Sequence, residues 1–396
     1  MRIAIVSDTY APLRTSGAIQ LRDLAGEFIA QGHYPTVLIP AAGLQSAYAL
    51  DDVEGVEVLR ARAPRTKDVG YIKRTLAELY MPFAVLRGLR HSPLSRVSWD
   101  GVVWYAPSIF HGPLVKALKQ SSSCRSYLIL RDIFPEWAVD MGVMGRGLPY
   151  QFFKIVERYQ YSIADVIGVQ TPANQAYFSE WPVQLRCRVE VLQNWLTVGP
   201  DIGCSVSVRD TSLAGRKIFV YAGNMGVAQG MGVLLDLAEY LGNRKDIGFI
   251  FIGRGSDSQR LRHAASVRGL DNVLFFDEID PNEIPGLYAQ CHIGLVALDP
   301  RHRTHNIPGK FVSYMHCGLP VLASVNPGND LVELIKQERV GRVCTDSTAW
   351  SLGAMAQALV TDISLDRDFK SRCKSLAARL FSPAVAVRQI VEALRA

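Results

Sequence analysis

The chain of 396 residues contains no run of 18 apolar residues free of charge, so a membrane-spanning helix is not expected. It also lacks any Cys-x-x-Cys pair. Its seven cysteines are scattered singly and are odd in number, which argues against a disulfide framework and a thiolate zinc site and suits a reducing cytosol. No Gly-x-Gly-x-x-Gly follows the first apolar run, where Ile5-Val6-Ser7-Asp8-Thr9-Tyr10 stands instead, and this disfavours a dinucleotide oxidoreductase. Neither a fixed-period repeat nor a low-complexity segment occurs, and the 32 Gly and 20 Pro are dispersed. The opening Arg2-Ile3-Ala4-Ile5-Val6 is too short for a secretory signal; export by that route is not expected, and the protein reads as soluble or at most peripheral.

What is present is a large apolar fraction, 48%, beside 20% charged residues, which is too much for one ordinary core and suits two domains. The net charge of +6 is unevenly placed. Residues 60–98 hold nine Lys or Arg against Asp68 and Glu78, so the rest of the chain is close to neutral. Such asymmetry points to an anionic partner at one place. No motif that reads RNA or DNA surrounds the basic stretch, so nucleic acid is not expected.

Short aliphatic runs bounded by Gly, Asp or Pro alternate with amphipathic stretches, the pattern of parallel βαβ units. Strands are predicted at 2–7, 35–39, 56–59, 100–104, 126–130 and 166–169, then at 217–221, 247–252, 272–276, 292–297 and 319–323. Helices are predicted at 17–31, 152–163 and 231–241. The α/β class follows, with two doubly wound Rossmann-like halves facing each other across a cleft and ligands at the carboxyl ends of the strands. The expected boundaries are a domain over 1–195 with a basic amphipathic insertion at about 60–98, a linker over 196–215, and a second domain over 216–380. A terminal helix over 381–396 can pack back on the first domain.

Three segments carry chemistry. Tyr221-Ala222-Gly223-Asn224-Met225-Gly226 runs from a strand into a Gly-rich bend, where main-chain N–H groups can approach a phosphate; a simple tight turn is the alternative. Phe251-Ile252-Gly253-Arg254-Gly255 ends a neighbouring strand, so Arg254 either faces the same ligand or is a solvated surface residue. Pro308-Gly309-Lys310 opens a helix that stops at Gly318, placing an ammonium beside a helix N-terminus. His302, His305 and His316 lack the inward carboxylate or thiolate partners of a metal site, and no metal is expected.

These segments, with Phe275-Phe276-Asp277-Glu278-Ile279, Asn306-Ile307-Pro308-Gly309-Lys310 and Gly318-Leu319-Pro320-Val321-Leu322-Ala323, follow an order that resembles family 4 of the glycosyltransferases, which has the GT-B fold. Thr304 to Lys310 and Val325-Asn326-Pro327-Gly328-Asn329-Asp330 are similar to the bacterial surface-polysaccharide branch that includes N-acetyl-L-fucosamine transferases. In the first half, Asp8-Thr9-Tyr10-Ala11-Pro12 with Gly17 is similar to the loop where acceptor and donor phosphates meet. Arg131-Asp132-Ile133-Phe134-Pro135-Glu136 resembles a run of the same branch. The likeness covers nearly the whole chain and is strongest over 217–341. The chain departs from the wider family at Asn224 and Gln229, which stand where Arg and Lys are usual. His305 and Ser313 stand where a Glu pair is usual, and Arg131 replaces a His.

The resemblance implies a retaining, metal-independent transfer of a sugar from a UDP-sugar to an undecaprenyl-diphosphate-linked saccharide in O-antigen or capsule synthesis. No cofactor is implied beyond the UDP-sugar substrate. The residues it implies for the donor are Gly223, Asn224, Met225, Gly226, Arg254, His305, Asn306, Pro308, Gly309 and Lys310. Asp8, Tyr10, Gly17, Arg131 and Glu136 fall on the acceptor side. Asp132, Lys310 and Arg254 are the candidates for catalysis, although Asp132 and Glu136 read equally well as helix caps. A nucleotide-sugar epimerase on the same fold is the alternative activity. The acceptor would place the chain on the inner face of the bacterial inner membrane. Residues 70–90 suit that surface, because Tyr71, Ile72, Leu76, Leu79, Tyr80, Met81, Phe83, Val85, Leu86 and Leu89 are interleaved there with Lys73, Arg74, Arg87 and Arg90. Pro82 is expected to kink or divide this segment.

Overall fold

The computed structural model describes residues 1–13, 15–179, 187–299 and 307–396. The chain divides into two compact units: residues 1–195 together with 383–396, and residues 196–382.

The first unit is built on an eight-stranded sheet of order β3-β4-β2-β1-β5-β6-β7-β8. Its strands are β1 Arg2–Val6, β2 Tyr34–Ala41, β3 Tyr48–Val53, β4 Val56–Arg62, β5 Gly101–Ala106, β6 Arg125–Leu130, β7 Val166–Val169 and β8 Arg188–Val191. All neighbours are parallel except β3, which returns antiparallel on β4. The helices are α1 Ser16–Ala30, α2 Tyr71–His91, α3 Gly112–Ser122, α4 Glu136–Asp140, α5 Leu148–Ile163 and α6 Pro172–Ser179.

The second unit is a parallel six-stranded sheet of order β11-β10-β9-β12-β13-β14. It comprises β9 Lys217–Ala222, β10 Ile247–Ile252, β11 Val273–Phe276, β12 Ile293–Ala297, β13 Val321–Ser324 and β14 Gly341–Cys344. Around it stand α7 Gly232–Tyr240, α8 Ser258–Val267, α9 Ile284–Ala289, α10 Gly309–Cys317, α11 Asp330–Glu338, α12 Ala349–Leu365 and α13 Phe369–Leu380.

Central strands buried on both faces need apolar residues at every position, which explains wholly buried runs such as Ile247-Gly248-Phe249-Ile250-Phe251-Ile252. In both sheets the winding reverses beside the first strand, between β1 and β5 and between β9 and β12. At such a reversal the loops after the two strands part to opposite sides, leaving an opening at the carboxyl edge.

Two expectations are corrected. Residues 196–215 are not a free linker but part of the second unit. Val208 and Leu213 are buried in its core, Val208 N–H donates to Gln290 Oε1 at 2.9 Å, and Ser205 N–H donates to Glu283. Pro82 does not divide α2, which continues through it as one 21-residue helix.

The last helix, α14 Pro383–Arg395, belongs to the first unit. Its apolar face, including Val387, Ile390 and Leu394, is buried in that unit's core. Gly101 is bare because a Cβ there would lie 2.7 Å from Leu394 Cδ1. Leu394→Ala should therefore leave a cavity and destabilise the first unit by about 2–4 kcal/mol, read as a lower urea midpoint. An unchanged midpoint would mean that the helix contributes little.

Candidate functional site

In the second unit the reversal brings together the loop after β9 and the helix that follows β12. Gly223 has φ 136°, and a Cβ there would sit 3.9 Å from Lys310 Cε, so the lysine stem runs alongside the bend. The Lys310 ammonium lies 4.3 Å from the ring centroid of buried Tyr221, a cation–π contact. Tyr221 Oη in turn donates to the Asn224 carbonyl at 2.7 Å and holds the bend in place. Among the described residues no carboxylate pairs with Lys310. Burial pushes its ammonium down to about 8. The α10 N-terminus adds donors: Pro308 supplies no side-chain cap, no acid lies in the first turn, and the N–H groups of Gly309 and Lys310 have no acceptor among the described residues.

The Gly-rich bend does not offer three amides to an anion as expected. Met225 N–H donates to the Arg254 carbonyl at 2.8 Å and Gly226 N–H to Gln229 Oε1 at 3.0 Å, which leaves the Asn224 N–H. Met225 itself is fully buried in the core and presents no side chain to a ligand. Gly253 and Gly255 are bare for a packing reason. A Cβ on Gly253 would meet the Gly223 carbonyl oxygen at 2.1 Å, and one on Gly255 the Met225 oxygen at 2.4 Å. The Arg254 guanidinium, 81% exposed, ion-pairs with Glu278 at 3.1 Å and is not gathered onto Lys310. His305 and Asn306 lie outside the described residues. On the same sheet edge is a cavity of about 430 Å³ lined by Val227, Gly230, Gly232, Val233, Asp257, Arg260, Leu298, Asp299 and Ser347.

The first unit holds a different set at its own reversal. Asp8 follows β1, and its Oδ1 is buried without a hydrogen-bond partner among the described residues. His111, at the start of α3 after β5, is fully buried, and neither ring nitrogen has a partner among the described residues. Burial pushes its pKa down to about 4 against the opposing pull of Asp8, so the imidazole is neutral at ordinary pH. Glu78 on α2 feels both burial, which raises its carboxyl, and the Arg74 guanidinium 2.8 Å away, which lowers it; burial is the larger effect. Sequence reasoning missed His111 and Glu78. A signal for the histidine was available, since Phe110-His111-Gly112-Pro113 follows an apolar strand and carries the Pro of a helix start.

Two of the acceptor-side candidates, Tyr10 and Arg131, lie inside the unit. Tyr10 is a core residue, 1% exposed, and burial pushes its phenol up to about 12. Arg131 points into the unit, donating to the Leu192 carbonyl at 2.9 Å and stacking 4.6 Å over Trp195. Glu136 accepts from Tyr150 Oη at 2.8 Å and pairs with Lys154 at 3.0 Å, so its oxygens serve the fold. Gly17 lets α1 approach β5, since a Cβ there would be 3.2 Å from Tyr105 Cε1. Asp132 is exposed just beyond β6, and its charge acts on Tyr105 and Arg131.

The depressed His111 predicts a pH signature. The unfolded chain binds a proton there from about pH 6.5 downward, whereas the folded chain resists until about pH 4, so stability present above 6.5 is lost as pH falls through this window. His111→Asn should remove about 2 kcal/mol of that acid sensitivity, read from urea midpoints at pH 7 and pH 4.5. Parallel pH profiles for the two proteins would contradict a buried neutral imidazole.

Residues 216–362 match the family model "Glycosyl transferases group 1". Over 231 residues the chain is 25% identical to WbjE of Pseudomonas aeruginosa, named as a probable glycosyltransferase, covering 55% of each chain. Over 267 residues it is 22% identical to WcaI of Escherichia coli (strain K12), named as a colanic acid biosynthesis glycosyl transferase, covering 62% of this chain and 60% of that one. The chain thus spans little more than half the length of these relatives. Among solved structures it resembles sucrose-phosphate synthase from Thermosynechococcus elongatus, with a TM-score of 0.75 at 16% identity over 100% of this chain and 98% of that one. It also resembles Anabaena HepE in complex with UDP and glucose, with a TM-score of 0.69 at 15% identity over 100% and 99%. Both Rossmann-like units thus share the GT-B fold, and the likeness to the glycosyl transferases group 1 family model lies in residues 216–362.

Proposed function

We propose that the chain is a retaining glycosyltransferase. It moves a sugar, N-acetyl-L-fucosamine being the best candidate, from a UDP-sugar to an undecaprenyl-diphosphate-linked saccharide in O-antigen or capsule synthesis, without a metal ion. The observation that carries this reading is Lys310, a desolvated ammonium with no carboxylate partner among the described residues, set beside Gly223 at the mouth of a helix whose first amides are unused. That combination favours a diphosphate. WcaI, named for colanic acid biosynthesis, and HepE, solved with UDP, support the substrate class.

Breaking the sugar–diphosphate bond builds negative charge on the leaving phosphate and positive character on the anomeric carbon. In this reading Lys310 and the Gly309 and Lys310 amides meet the phosphate charge, which is the largest stabilising contribution available. The acceptor hydroxyl attacks on the leaving-group side and passes its proton to a phosphate oxygen. Neutral His111 and Asp8, with unsatisfied polar atoms, take up sugar or acceptor hydroxyls, and Asp132 orients the acceptor. Residues 60–98 rest on anionic lipid: α2 turns Ile72, Leu76, Tyr80 and Phe83 outward together with Lys73, Arg87 and Arg90.

A thermal-shift panel of UDP, GDP and dTDP should give its largest rise with UDP, and a preference for GDP would remove the N-acetyl-L-fucosamine assignment. UDP release that needs the lipid-linked saccharide distinguishes transfer from an epimerase or a hydrolase. Near pH 8 about half of the ligand-free molecules carry neutral Lys310, and a diphosphate restores the charge, so UDP binding should take up about half a proton there and weaken above that pH. Calorimetry in buffers of different ionisation enthalpy reads this uptake, and Lys310→Arg should abolish it. Lys310→Ala should cut turnover about 10²-fold; near-normal turnover would remove the lysine from the site.

A further inference from the structure

Helix α5 is amphipathic the wrong way round for a helix that only closes a domain. Its buried positions include Tyr150, Lys154, Glu157 and Gln160. Lys154 and Glu157 form an ion pair there, with Glu157 fully buried and Tyr177 Oη donating to it at 3.3 Å. The opposite face carries Leu148, Phe152, Ile155 and Tyr159, spaced four, three and four residues apart and so within a sector of roughly 60°. Leu148 is 86% exposed and Ile155 66%. A helix that buries an ion pair while turning its aliphatic stripe to water inverts the usual preference.

The stripe is not isolated. Phe153 and Val156 of α5 pack with Leu79 and Met81 of α2 in one apolar cluster. Helix α2 has its own outward stripe, in which Ile72 is 80% and Leu76 61% exposed. Helix α3 packs against both helices, and each of the two presents several exposed apolar side chains in a row, more than the scattered ones that need no explanation.

Charge decides what covers them. The exposed charges on these helices and just before α5 are Lys73, Arg74, Arg87, Arg90, Arg146 and Arg158. On the two helices themselves the acids are withdrawn, Glu157 being buried and Glu78 largely buried and paired with Arg74, while Asp68 and Asp140 outside them are exposed. A second copy would set two basic faces against each other. An anionic bilayer supplies acyl chains for the stripe and phosphates for the guanidinium groups, whose stems lie along the apolar surface.

We infer that α5 is a second lipid-contacting element, inserting Leu148, Phe152 and Ile155 into the headgroup boundary of an anionic leaflet beside α2. The inference rests on the membrane-contact reading of residues 60–98 and extends it to a helix outside that stretch. Because the contact is partly apolar, it resists salt better than phosphate attraction alone.

The test is flotation of the full-length protein with vesicles of phosphatidylethanolamine and phosphatidylglycerol, against phosphatidylcholine alone. The variants are Leu148→Asp/Ile155→Asp on α5 and Arg87→Glu/Arg90→Glu on α2. The α5 pair should lose at least about tenfold in partitioning while UDP binding is kept. An Ile155→Trp protein should gain blue-shifted emission on vesicles that brominated lipid quenches. Wild-type partitioning by the α5 pair, with loss only in the α2 pair, would overturn the α5 inference and leave the contact through residues 60–98 standing. Failure of wild-type protein to float would overturn both. If the α5 pair misfolds, an Ile155→Trp emission unchanged by vesicles overturns the inference. A lipid-free dimer that Leu148→Asp/Ile155→Asp dissolves would name a second copy as the occupant instead.

Discussion

An ammonium held out of water with no counter-ion among the described residues is the constraint around which the second unit's sheet edge is arranged. Removing a cation from water costs free energy that a single aromatic face offsets only in part, as the fall of Lys310 to about 8 records. The lysine stays in place because its helix is fixed from both ends. At the start, Phe311 N–H donates to the Pro308 carbonyl at 2.9 Å; at the end, Gly318 turns left-handed with φ 74°. The surrounding glycines serve the same geometry indirectly. Gly253 and Gly255 let one loop backbone lie directly on another, Met225 N–H then reaches the Arg254 carbonyl, and the bend beside Lys310 acquires one shape.

The first unit meets the same topological reversal with the opposite electrostatic choice. His111 is buried so completely that it surrenders its charge, and Asp8 nearby does not restore it. A neutral imidazole with two unused nitrogens can both donate and accept, which suits hydroxyl groups better than phosphates. The two units thus carry different edges, one cationic and one neutral and hydrogen-bonding. They arise from the same winding pattern because the residue after the reversal is Lys310 in one unit and His111 in the other.

The central strands were legible because burial on both faces leaves little choice of residue: 166–169 and 247–252 are read to the residue, and most others within one or two. The strands missed, β3, β8 and β14, are all sheet edges. Edge strands carry polar residues such as Asp51, Asp52, Arg188 and Arg342, and their pairing partners lie far away or across a turn, so no periodic apolar signal marks them. In the site, Lys310 was legible because Pro and Gly punctuate both ends of its helix. The placement of Arg254 stayed open because a Gly-x-Gly spacing has the same form whether the bare Cα atoms admit a phosphate or another stretch of backbone; at Gly253 and Gly255 it is backbone. His111 escaped because its burial is set by tertiary packing, which no local sequence period records. The 196–215 segment read as linker because Val208 and Leu213 are too widely spaced to show a period, although both reach the core.

The polar interior of α5 follows from the same economy. Lys154 bridges Glu136 and Glu157, and Tyr150 and Tyr177 supply further hydrogen bonds, so every charge inside has a partner of opposite sign or a hydroxyl. Removing one member of such a buried set leaves the others uncompensated, a loss far larger than the set's net contribution to stability. The arrangement therefore fixes the rotation of α5 about its own axis more firmly than an apolar contact would, because a slip by one residue would expose or strand the ions. A helix whose inner face is specified by ions has its outer face specified as well, and Leu148, Phe152 and Ile155 are held outward by charges on the far side of the helix. Unlike an apolar stripe on a loosely packed helix, this one cannot turn inward to escape water.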